Sequence, residues 1–129
     1  MSDAVSIIDA RDDAAHPLLQ IVEDEQGEAR AIVWPGIGAN DRSLHRIKLA
    51  PRARTVALSH PSESVYYVLE GGGEVTEGDG SAGQPIEVGS MVHTAPGDSY
   101  RLVAGSDGMV AVGGPCPADP ALYEHIEKG

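Results

Sequence analysis

LSHPSESVYYVLEGGGEV, running from Leu58 to Val75, is the stretch whose reading decides the fold. His60 and Glu63 stand just ahead of Val65, Tyr66, Tyr67, Val68 and Leu69, the β-branched, aromatic and aliphatic types that strands favour. Gly71, Gly72 and Gly73 are expected to turn the chain, with Glu74 to Thr76 resuming as a second strand. The stretch thus reads as a hairpin with polar, reactive groups at its mouth.

Outward from there, the pattern is one of short strands and frequent turns. Leu18–Val22 and Ala29–Trp34 read as strands around the EDEQG turn. Ser43–Leu49 alternates, with His45, Ile47 and Leu49 on one face and Leu44, Arg46 and Lys48 on the other. Thr55–Ser59, Pro85–Val88, Ser90–Thr94, Ser99–Ala104 and Met109–Val112 follow, the last two separated by a GSDG turn. Prolines lack the N–H a ladder needs, so GGPCPADP (Gly113–Pro120) is expected to end the sheet. One short helix is expected over residues 120–128. Sixteen glycines and nine prolines in 129 residues, with no phenylalanine, fit an all-β protein with an aliphatic core. The expected organisation is an N-terminal arm (1–14), a β-barrel (15–113) and a Pro-rich C-terminal tail (114–129).

The charge narrows the partners. Nine basic and twenty acidic residues give a net −11, which repels nucleic acid and anionic lipid. No apolar run approaches the roughly 20 residues that span a bilayer. The single Cys116 can form no internal disulfide, and MSDAVSIIDARDD lacks the basic segment and apolar core of a secretory signal. A cytoplasmic location is the expectation, with a small molecule rather than a polymer as ligand.

At this point the residues carry a family resemblance. HPSESVYYVLEGGGEV resembles the first motif of the cupin superfamily, and GSMVHTAPGDSYRL (Gly89–Leu102) resembles the second. The resemblance spans about residues 42–112 and implies a double-stranded β-helix, or jelly-roll, barrel. It also implies a homodimer, and a metal held by three histidines and a glutamate. Counting back from Gly71, those ligand positions fall on Leu58, His60 and Ser64 in the first motif, and on Tyr100 in the second. Only His60 keeps its place.

Several side chains are candidates for chemistry. Imidazole suits both metal ligation and proton transfer, which marks His60. Glu63 has three uses open to it: ligand, orienting partner of His60, or base. A regular strand puts Glu63 on the face opposite His60, so a bulge is needed to bring it inward. Tyr66 shares the pleat face of His60 and Ser64, and Tyr100 is expected to face inward from its own strand. His45 and His93 flank the region. If both point inward, His45, His60, Glu63 and His93 rebuild a ligand set suited to Fe, Ni, Zn or Mn. His16 and His125 read as surface residues, Met91 as core, and Trp34 as a core or interface residue. Arg42, Arg46, Arg54 and Arg101 read as a solvated or salt-bridged strand face, the alternative being one inward arginine that clamps a carboxylate or phosphate.

Three readings of function follow. The first is an enzyme doing isomerase- or lyase-type acid–base chemistry on a carbonyl- or carboxylate-bearing metabolite. His60, Glu63, Tyr66 and Tyr100 would be its catalytic residues, and it would need no cofactor. The second is a metal-dependent dioxygenase using the rebuilt set. The third is a non-catalytic metabolite- or sugar-binding module.

Overall fold

A computed structural model describes residues 5–126. The expected arm and tail helix therefore fall partly outside the described residues. Seven strands form one antiparallel sheet: β1 (Leu18–Leu19), β2 (Gly27–Val33), β3 (Leu44–Leu49), β4 (Glu63–Glu77), β5 (Gln84–Glu87), β6 (Met91–Thr94) and β7 (Tyr100–Cys116). Their order is β1-β2-β3-β7-β4-β5, with β6 also on β4. None of the described helices is long and apolar enough to cross a membrane.

Two long strands make the barrel. The expected hairpin at Gly71–Gly73 is not there. Instead β4 runs straight through the three glycines for 15 residues, and β7 runs through GSDG for 17. The physical reason is that the two glycine-rich stretches face each other. The β4–β7 register shifts between Gly71 and Gly73, opposite residues 104–109, so both strands bend together there. Gly71 sits at φ 67°, and a Cβ on it would meet the Gly108 carbonyl. A Cβ on Gly73 would meet the Val103 carbonyl. Only glycine permits this close approach.

The bend lets the sheet close on itself. Before it, β4 pairs with β6 on one side, and after it with β5. Residues 54–58 then bridge the first half of β7 to the β1 side, through Leu58↔Tyr100, Arg54↔Val103 and Val22↔Thr55. Interior positions follow the period of two. Ser64, Tyr66 and Val68 of β4 are buried, as are His45, Ile47 and Leu49 of β3, and Tyr100, Leu102 and Ala104 of β7.

The prolines do not end the sheet where expected, because Pro115 still pairs with Ser64. Strand β3 stops pairing at His45↔Gly113, so β7 beyond that point has a free side where a proline is tolerated. The Ser43 hydroxyl donates to the Pro115 carbonyl at 2.7 Å and covers that edge. The C-terminal helix is a 3-10 turn, Pro120–Tyr123.

Two further expectations change, for Met91 and His16, while Trp34 packs against the core. Met91 is 65% exposed, because it shares the outer face of the β4–β6 pair with Val65, Tyr67 and Leu69. His16 is buried, and its Nε2–H donates to the Asp9 carbonyl at 2.8 Å. Trp34 is half-buried against Tyr123, with ring centroids 5.2 Å apart. Three of the four arginines form a salt-bridged face, while Arg42 is exposed with no salt bridge among the described residues. Arg46 pairs with Asp13 and Glu28, while Arg54 and Arg101 share Glu23.

Candidate functional site

Four elements converge inside the barrel. Tyr66 comes from the inner face of β4 and Tyr100 from the start of β7. His60 comes from the His-Pro turn ahead of β4, fixed there by Gly97 N–H donating to its carbonyl at 2.8 Å. The fourth is the C-terminal tail, where Asp119 caps the 3-10 turn by accepting from the Ala121 N–H at 3.1 Å.

Their polar atoms form one chain. His60 Nδ1 lies 2.8 Å from Asp119 Oδ2, and His60 Nε2 lies 2.8 Å from the Tyr100 hydroxyl. That hydroxyl is in turn 2.8 Å from the Tyr66 hydroxyl. Asp119 sets the direction of the whole chain. A carboxylate only accepts, so His60 Nδ1 carries the proton and Nε2 of the neutral ring accepts. Tyr100 therefore donates to His60, and Tyr66 donates to Tyr100. The chain is buried: the side chains of His60 and Asp119 are 1% and 8% exposed. Burial pushes the Tyr66 phenol well above its ordinary pKa, and the neighbouring Tyr100 adds to this. Burial also raises Tyr100, although the hydrogen bond from Tyr66 pulls the other way. Both phenols are thus held neutral.

A second buried pair lies beside it. His45 Nε2 is 2.6 Å from the Tyr123 hydroxyl, again a tail residue. Burial, with a smaller contribution from His60, lowers the His45 pKa from 6.5 to about 4. Burial lifts Tyr123 to about 12. His45 Nδ1 has no hydrogen-bond partner, and it faces Gly114 so closely that a Cβ there would stand 3.0 Å away.

Two cavities flank the chain. The larger, about 540 Å³, is walled by Val75, Ile86 and Val92 and reaches Thr94 and Tyr100. Thr94 there shares a 2.6 Å hydrogen bond with Ser64. The smaller, about 250 Å³, lies between residues 56–60 and the tail and touches His60 and Asp119. His60 does not line the larger cavity, and reaches it only through Tyr100.

The structure therefore brings His60, Tyr66 and Tyr100 together and leaves out Glu63. No bulge forms at the His-Pro turn, so Glu63 stays on the outer face of β4. It accepts there from His93 Nε2 at 2.8 Å, with the two side chains 59% and 61% exposed. The same alternation turns His93 outward, since it pairs with Val65 on the outer face. The four residues expected to rebuild a metal site are thus split, with His45 and His60 inside and Glu63 and His93 outside. Among the described residues, no three His, Cys, Asp or Glu side chains are grouped to hold an ion. Both His60 nitrogens and His45 Nε2 are engaged, and His45 Nδ1 is covered by Gly114. The side chains as arranged do not fit a divalent metal.

Asp119 and Tyr123 are the residues that sequence reasoning missed. The one available signal was Asp119-Pro120, a capping residue followed by proline at the first helical position.

No protein-family model matches the sequence, and a search of curated proteins finds no match. Solved structures do resemble the chain. A double-stranded β-helix protein from Klebsiella pneumoniae superposes with a TM-score of 0.69 at 16% identity, covering 88% of this chain and 92% of its own. An RmlC-like cupin from Shewanella frigidimarina does so with a TM-score of 0.62 at 18% identity, covering 91% and 93%. The polyketide cyclase RemF from Streptomyces resistomycificus gives a TM-score of 0.61 at 19% identity, covering 88% and 77%. The fold is therefore the cupin double-stranded β-helix, and it is one that small-molecule enzymes use.

Proposed function

We propose that this protein is an enzyme moving a proton on a carbonyl-bearing small molecule held in the larger cavity, with the Tyr100–His60–Asp119 chain as its acid–base apparatus. The observation behind this is the unbroken, buried run of 2.8 Å hydrogen bonds from Tyr66 to Asp119, with Tyr100 at the cavity wall. As Tyr100 oxygen takes a proton from the carbon beside the substrate carbonyl, its own proton passes to His60 Nε2. The imidazolium so formed is stabilised by Asp119, which also holds the ring in the accepting tautomer. No free phenolate forms, in keeping with the raised pKa of Tyr100. Tyr66 donates to Tyr100 throughout, and the Thr94 hydroxyl is placed to receive the negative charge developing on the carbonyl oxygen. A polyketide cyclase shares this fold, so small-molecule chemistry is compatible with it.

The test is proton exchange in D₂O, followed by NMR across a panel of neutral ketones and β-dicarbonyls. Wild-type protein is expected to speed exchange at the carbon beside the carbonyl. Tyr100→Phe and His60→Gln should each lower the rate by about 10²-fold or more, the usual worth of a positioned acid–base group. Exchange that survives in Tyr100→Phe, or no acceleration across the panel, would contradict the reading.

A further inference from the structure

The larger cavity has a charge character that narrows what enters it. Among the described residues lining it there is no lysine or arginine. Its charged or titratable lining is Glu77 and Asp98, along with His93, which hydrogen-bonds to Glu63 through Nε2. Arg101 follows Tyr100 directly but turns outward, donating to the Gly78 carbonyl and to Glu23 at 2.8 Å each. Asp98 is fixed in place by accepting from the Ala95 N–H at 2.9 Å. The rest of the polar lining is neutral: Thr76, Gln84, Ser90, Thr94, Ser99 and the Tyr100 phenol. A carboxylate or phosphate entering here would lose water, gain no lysine or arginine partner and meet two carboxylates within a chain of net charge −11.

We infer that the cavity selects against anions and takes a hydroxyl- or carbonyl-bearing molecule that is uncharged or cationic, with the carboxylate-bearing class turned away. The carbonyl part rests on the proton-transfer reading above, while the charge preference rests on the lining alone. Hydroxyls and amides recognise such a ligand, and Val75, Ile86 and Val92 cover its carbon frame.

Three probes of one shape separate the cases: benzamide, benzamidinium and benzoate, followed by the backbone amide resonances of Thr94, Ser99 and Tyr100. Benzamide and benzamidinium are expected to shift these resonances, and benzoate to leave them unmoved at concentrations that saturate the other two. In Glu77→Gln/Asp98→Asn, benzamidinium should weaken by about fivefold per carboxylate removed, the worth of one charge at contact distance in water. Benzoate should gain by a similar factor, and benzamide should hold. Benzoate binding as tightly as benzamide, or none of the three reaching these residues, would overturn the inference. Neither outcome touches the proton chain, because Tyr100→Phe exchange kinetics read that separately.

Discussion

Two histidine–carboxylate pairs in this molecule have the same length and opposite meaning. His60–Asp119 and His93–Glu63 both measure 2.8 Å. The first is almost wholly buried, and its imidazole passes the interaction on to Tyr100 and Tyr66. The second is more than half exposed on both sides. Distance alone does not distinguish a working pair from a decorative one. An exposed pair is worth little, because water and salt screen it and two side chains must be held still. A buried pair is committed, because removing either partner strands the other without water.

Truncating each carboxylate is the sharpest way to break this contrast. Asp119→Ala leaves His60 Nδ1–H without an acceptor and removes the cap on the 3-10 turn, so it should cost about 3 kcal/mol in denaturant unfolding. Equal losses in Asp119→Ala and Glu63→Ala would erase the distinction. His45 supplies an intermediate effect, through pH. In the folded chain it stays neutral down to about pH 4, whereas unfolded it takes a proton below about 6.5. Its contribution is therefore whole above 6.5 and is lost as pH falls through 4, on the order of 3 kcal/mol at the acid end. Unfolding midpoints between pH 7 and 4 should fall more steeply in wild type than in His45→Gln. Parallel slopes would mean that His45 is not held neutral by burial. The smallest effect belongs to Glu63→Ala, expected within about 0.5 kcal/mol of wild type and indifferent to added salt.

The same contrast explains what was legible in the sequence. Alternation along SVYYVL placed Ser64 and Tyr66 inward, and alternation along LHRIKL put His45 on the face of Ile47 and Leu49, which the structure turns inward, because in a barrel period two is enforced by the core. It also placed Glu63 outward, and only its closeness to His60 in sequence suggested otherwise. Glycine clusters were harder to read. GGG and GSDG each look like a turn alone, and their shared role as a bend appears only when β4 and β7 are paired. Asp119 and Tyr123 were not legible as site residues. Their partners lie 59 and 78 positions away, and an irregular tail has no period to say which side chain faces in. The cupin resemblance located the barrel from strand chemistry. The ligand positions filled by Leu58, Ser64 and Tyr100 showed that its metal set is not repeated here, and the structure supplies a hydrogen-bonded chain in that place.

The central claim is that Asp119 fixes His60 as a proton acceptor toward Tyr100, and nitrogen-15 NMR of the imidazoles tests it most directly. The account predicts His60 as the Nδ1–H tautomer at neutral pH, with a slowly exchanging Nδ1 proton shifted downfield. Asp119→Asn should lose that signal, and Glu63→Gln should leave it unchanged. A His60 ring protonated on Nε2, or a downfield proton that survives in Asp119→Asn, would contradict the account.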